Sequence, residues 1–119
     1  MLAEVSDKDV RLFFVSESAF WFVHSRDGGL TFRHETLKLN GKQARTLRVA
    51  QAAEGRHYAV VTPLDLPSPA KLLSISARDR VEVARELELP EDLDWLPGAP
   101  VFEVRDGDNL MLALAQRDP

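Results

Sequence analysis

The chain has 119 residues, 15 Lys and Arg against 19 Asp and Glu, and a formal net charge of −4. That length buries one hydrophobic core and is too short for two, and a composition of 45% hydrophobic and 29% charged residues is that of one soluble domain. With no cysteine, disulfides, thiolate zinc sites, iron–sulfur clusters and cysteine nucleophiles are excluded.

Residues 10–15 and 19–24 are short runs of Val, Leu, Phe and Trp separated by Ser16-Glu17-Ser18, which suits paired strands. Phe20, Trp21, Phe22 and Val23 are apolar without alternation, so this strand is expected to be covered on both faces. Leu30 and Phe32 then share one parity while Leu37 and Leu39 share the other. A side-chain period of two predicts a bulge or break between His34 and Thr36. Asn40-Gly41 has the form of a two-residue primed turn. Leu47 and Val49 continue an alternating strand, and residues 58–61 make another. The stretch 42–54, closed by Gly55, is also rich in helix formers (Gln43, Ala44, Arg45, Ala50, Gln51, Ala52, Ala53). The turn favours a strand through Val49, with helix and strand both open beyond it.

Residues 62–70 hold three of the seven prolines and read as a crossing between a hairpin half, 1–61, and a second half, 71–119. Ser76 and Asp79 outline a weak capping box, and Val81, Ala84 and Leu87 fall on one helical face before Pro90, which predicts a short helix over 77–87. Pro97-Gly98 marks a turn. Residues 101–105 and 110–115 form a hairpin through Asp106-Gly107-Asp108-Asn109, whose acids suit a polar turn better than a calcium loop. No internal repeat or low-complexity tract is visible. The sum is a single β-rich α+β domain: an antiparallel hairpin meander, one short helix near 77–87, and a C-terminal hairpin.

The turn Ser25-Arg26-Asp27-Gly28-Gly29-Leu30-Thr31-Phe32 resembles the Asp-box, S/T-x-D-x-G-x-T-W/F, of sialidase-type (BNR) propellers, with Phe32 in the Trp/Phe place. Asp27 can bond back to the turn backbone, Gly29 tolerates positive φ, and Ser25 and Thr31 can pair across the strands while Phe32 packs inward. A propeller repeats this signature over several blades, and this chain carries it once. The resemblance therefore implies a structural hairpin, not a sialidase. Residues 86–115, with Glu88-Leu89-Pro90 before Trp95, Pro97-Gly98 and the last hairpin, resemble the swapped-hairpin fold of AbrB- and MazE-type regulators. That resemblance implies a transcriptional regulator or antitoxin, although the basic DNA-reading patch of that family has no counterpart in this half.

Charge is unevenly spread. Residues 1–70 carry nine Lys and Arg against eight Asp and Glu, whereas residues 71–119 carry six against eleven. Within 24–57 the local balance is +4, seven basic residues against Asp27, Glu35 and Glu54. Arg33, Lys38, Lys42, Arg45, Arg48 and Arg56 are the candidate contacts for DNA or RNA. An isoelectric point near 5.3 argues against tight nonspecific binding to nucleic acid. The alternative is a protein-interaction, inhibitor or adaptor module using the acidic C-terminal half, with Trp95 as an interface anchor.

Catalysis is not expected. Arg33-His34-Glu35 with Arg56-His57 outlines an acid/base set for RNA cleavage, but His34 and Glu35, adjacent on a strand, point to opposite faces. No P-loop, GxGxxG or GxSxG occurs, and His24, His34 and His57 lack metal-binding spacing, so no cofactor and no metal are expected. The cluster Phe13, Phe14, Phe20, Trp21 and Phe22 reads as core. The longest apolar stretch, 19–23, falls far below the roughly 20 residues of a membrane span, and Met1-Leu2-Ala3-Glu4 does not open a signal peptide. The expectation is a cytoplasmic protein without membrane contact, for which unprotected strand edges admit a homodimer.

Overall fold

The computed structural model describes residues 1–16, 18–39, 44–63, 70–88, 93–95, 102–105, 109–112 and 114–116. Four antiparallel strands in sequence order form the first sheet: β1 (Leu2–Ser6), β2 (Asp9–Ser16), β3 (Ala19–Ser25) and β4 (Arg33–Lys38). The second sheet repeats that plan with β5 (Ala44–Gln51), β6 (His57–Pro63), β7 (Ala70–Ile75) and β8 (Val81–Leu87). Two smaller antiparallel pairs follow. Strand β10 (Phe102–Arg105) pairs with β11 (Asn109–Leu112), and β9 (Leu93–Trp95) pairs with β12 (Leu114–Gln116). The only helical turn among the described residues is the 3-10 turn Ala53–Gly55.

The two four-stranded sheets stack face to face, with β2 against β5 and β4 against β8. Directly opposed residues in an antiparallel ladder share a face. The register pairs Phe13 with Phe22 and Phe20 with Leu37 in the first sheet, and Ala59 with both Val49 and Leu73 in the second. Phe13, Phe20, Phe22, Leu39, Ala59, Val61, Leu73 and Ile75 form the resulting buried core. Phe13 and Phe22 stack with ring centroids 5.2 Å apart. The second sheet is buried on its other face as well, at Ala50, Val60, Ala70 and Leu72, and β10 lies beside β5.

The helix expected over 77–87 is a strand. Residues 81–87 form edge strand β8, paired with β7 through Val81–Ile75 and Val83–Leu73, with a register irregularity opposite Leu72 and Leu73. The capping-box outline serves a hairpin turn instead. Asp79 donates its N–H to the Ser76 carbonyl (2.9 Å), Ser76 donates to the Arg80 carbonyl (2.9 Å), and Asp79 adopts φ 67°. A turn closed by a left-handed residue is a standard three-residue hairpin connection, and Asp is among the few non-glycine residues that accept that conformation. The architecture is thus β-rich without the predicted helix.

No bulge separates His34 from Thr36, because Val23–His34, Phe22–Glu35 and Trp21–Thr36 follow one another without a shift. The parity conflict disappears because Leu30 and Phe32 precede the strand. Both lie in the turn and are exposed, Leu30 by 85% and Phe32 by 47%. Beyond Val49 the strand runs on to Gln51 before the 3-10 turn, which settles the helix alternative for residues 44–51 in favour of strand. Across the Pro-rich crossing, β6 pairs with β7, so the second sheet draws on both sides of it. Asn40-Gly41 and residues 64–69 lie outside the described residues. The C-terminal hairpin is present as β10 and β11, and β12 departs from it to pair with β9.

The β3–β4 connection is held by side chains. Ser25 donates its hydroxyl to Asp27 Oδ1 (2.7 Å) and accepts from the Gly29 N–H (2.8 Å) and the Asp27 N–H (3.4 Å). Thr31 donates its N–H and its hydroxyl to the two Asp27 oxygens. These bonds hold the Asp27 carboxyl well below the usual carboxylate range, the Thr31 hydroxyl contributing most. Ser25 and Thr31 therefore meet through Asp27 rather than across the strands. Gly28 and Gly29 take φ 76° and 99°, and Gly28 donates to the Lys8 carbonyl, tying this turn to the β1–β2 turn.

The β7–β8 turn repeats part of this geometry. The Ser76 hydroxyl accepts from the N–H groups two and four residues on, those of Arg78 and Arg80, as Ser25 does from Asp27 and Gly29. Ser25 is buried and Ser76 is not fully so. Ser25→Ala should therefore lower stability by about 1–3 kcal/mol, the cost of leaving buried donors without an acceptor. Denaturant titration checks it, with Ser76→Ala expected to cost less.

Candidate interaction surface

The first sheet covers only one of its faces. The side facing away from the second sheet carries Val5 and Val10, Ala3, Leu12 and Val23, and Phe14 and Trp21, placed there by the register of β1 to β4. Val10, Leu12, Phe14, Trp21 and Val23 are half-buried, and Val5 is 71% exposed. Phe14 and Trp21 lie parallel, centroids 5.9 Å apart and planes 4° apart, and His34 packs against the other side of Trp21 at 5.7 Å. Thr36, directly opposite Trp21, is exposed. Among the described strand residues of this face, Lys38 at the margin carries the only formal charge.

Polar groups between the sheets act as fasteners. His24, 2% exposed, places Nδ1 at 2.9 Å from both Asp79 carboxylate oxygens and Nε2 at 2.8 Å from Asp9 Oδ1. The ring thus bridges the two carboxylates, Asp79 on one nitrogen and Asp9 on the other. Arg26 reaches Asp79 Oδ2 at 3.0 Å, giving two carboxylates and two basic groups that join β2, β3 and the β7–β8 turn. The His24 hydrogen bond is the main cause holding the Asp9 carboxyl below its usual range, with Arg11 and Arg26 adding to it. A second fastener joins His57 Nε2 to Glu4 Oε1 at 2.9 Å beside Phe13. Asp9 and Asp79 bind opposite nitrogens of His24, and no group of three or more His, Asp or Glu among the described residues is placed to hold a metal ion.

No family model, no curated protein and no solved structure matches the chain.

The basic residues singled out in the sequence are distributed over both sheets. Arg33 and Lys38 stand exposed at the two ends of β4, on opposite faces by parity. Arg48 stands on β5 and donates to the Leu47 carbonyl at 3.0 Å. Arg45 also belongs to β5, and Lys42 lies outside the described residues. Arg56 donates Nε to the Ala53 carbonyl and lines a cavity of about 210 Å³ with Tyr58, Ser74 and Arg80. Strands β4 and β5 belong to different sheets, so Arg33 and Lys38 are not ladder neighbours of Arg48. Trp95 ends strand β9, paired with Leu114, rather than standing in a loop. His34 and Glu35 do point to opposite faces of β4.

In the sequence Phe14 and Trp21 read as core with their neighbours, whereas the register of β2 and β3 turns both to the outer face. The available signal was the unalternating run from Phe20 to Val23, which demands cover on two faces.

Proposed function

We propose that this chain is a non-catalytic protein-binding module whose contact surface is the outer face of the first sheet. One observation carries the reading: a parallel, half-buried Phe14–Trp21 pair, surrounded by Val10, Leu12 and Val23, on a sheet face that nothing in the chain's described residues covers. Contiguous apolar surface of this kind marks protein contacts, and large aromatic side chains at its centre supply most of the binding energy. The near absence of charge on this face also favours a protein over nucleic acid, whose binding depends on grouped basic side chains. The Asp-box resemblance enters only as scaffold: the Ser25–Asp27–Thr31 bonds brace the end of β3, which presents Trp21 and Val23.

The test is a comparison of wild type with Trp21→Lys as immobilised baits, with bound proteins scored after a high-salt wash. The expected result is a partner retained by wild type at high salt and lost by the variant. Equal retention by both, together with a low-salt mobility shift of DNA or RNA that Arg33→Glu and Arg48→Glu abolish, would overturn the reading in favour of nucleic acid.

A further inference from the structure

We infer that the partner of this face is a second copy of the same chain, docked through the same outer face of its first sheet. The inference rests on the protein-binding reading above and names its occupant. The second sheet is buried on both sides, with Val60 and Ala70 almost fully inaccessible on the face turned away from the core, while the first sheet is buried on one side only. Sheet against sheet is the contact this sequence already makes between β2 and β5 and between β4 and β8. Apposing a further sheet on Leu12, Phe14, Trp21 and Val23 continues the same stacking.

The chemistry of the face suits a copy of itself. An isologous contact brings each residue against the same surface, so a charged face repels its own copy and an uncharged apolar one does not. Ala3, Val5, Val10, Leu12, Phe14, Trp21 and Val23 carry no charge, and Lys38 stands at the edge of the patch. The opposite side of the same sheet bears Glu4, Arg11, Arg33 and Glu35, so the apolar character belongs to this face and not to the sheet as a whole. Four strands at about 4.8 Å spacing and about seven residues in length make a patch of about 19 by 23 Å. A contact of that size lies at the small end of specific interfaces, among the weak and transient ones, so the dimer is sought in the micromolar range.

Sedimentation velocity of the full chain from about 1 to about 200 µM spans that range. The expected result is a reversible shift from monomer to dimer. Thr36→Glu, which adds a charge at an exposed position beside Trp21 and removes no packing, should weaken the dimer at least about tenfold. Its circular dichroism, and its melting temperature at dilute concentration, should match those of the wild type, and Phe14→Lys should remain monomeric throughout. A wild type that stays monomeric across the range overturns the inference, as does a dimer that both variants leave intact. The protein-binding reading fails separately. If the wild type is monomeric but still retains a partner that Trp21→Lys loses, only the second copy is refuted; if no such difference exists, both fall.

Discussion

His24→Ala should cost about 1–3 kcal/mol for the buried carboxylate left short of a hydrogen-bond partner, with the lost packing of the ring added to it. The ring is almost fully buried against Phe22, and its loss leaves Asp79 with Arg26 as its remaining basic neighbour in this cluster. For a domain of this size that is a large part of the total stability, and urea titration at neutral pH measures it. Pairing the change with Asp79→Asn separates charge from packing. The double variant should be more stable than the sum of the single losses requires, by about 0.5–3 kcal/mol, because a neutral amide costs less than a carboxylate to leave without the ring as partner. Additive losses would mean that the ring matters for its volume alone.

The same cluster predicts acid sensitivity. Asp9 has a folded-state pKa below its unfolded value, so its contribution is present above the ordinary Asp range and lost as pH falls through the depressed value. Stability should therefore decline below about pH 4, where an unfolded Asp begins to take up its proton. Asp9→Asn should flatten the acid limb of a melting-temperature profile. A profile that is unchanged between pH 5 and pH 2 relative to the variant would remove Asp9 from the account.

How far the fold could be read from the residues depends on where periodicity met its limits. Strands β2 and β3, the turn between β3 and β4, and the hairpin β10–β11 were all legible, because β-branched and aromatic runs bounded by Gly, Asp and Asn have few other solutions. Residues 81–87 were not. Val81, Ala84 and Leu87 satisfy a helical spacing, whereas the strand pairs Val81 with Ile75 and Val83 with Leu73 and then slips beside Ala84. An irregularity in the ladder breaks the alternation that would have revealed it. The repeat of one four-strand plan was equally hidden. Ser25 and Ser76 perform the same backbone task, but Arg78 stands where Asp27 does, and the acid of the second turn, Asp79, is spent on His24. The candidate surface is hidden in the sequence for a different reason. Composition shows that Phe14 and Trp21 are apolar, while only the pairing Phe14–Trp21 and its side of the sheet shows that they face away from the core.

That difference of side should be measurable on adjacent residues of one strand. Phe22 is 1% exposed, stacked on Phe13 and enclosed by both sheets, so Phe22→Ala should cost about 3–5 kcal/mol through lost burial and the cavity left behind. Trp21 is the larger side chain, yet it stays partly exposed in the single chain, and Trp21→Ala should cost about 1–2 kcal/mol at dilute concentration, in proportion to the smaller area removed from water. The ordering reverses what side-chain size alone requires. It should also depend on concentration for one residue only. As the chain associates through Leu12, Phe14 and Val23, Trp21 becomes covered and the penalty for removing it grows, because binding adds to the stability of the folded state. The Phe22 penalty stays constant, since its surroundings are complete within one chain. Melting curves of wild type and both variants at low and high concentration give the four numbers. A Trp21→Ala loss as large as that of Phe22→Ala at low concentration would show that the outer face is already covered within one chain, and the interaction surface would have to be sought elsewhere.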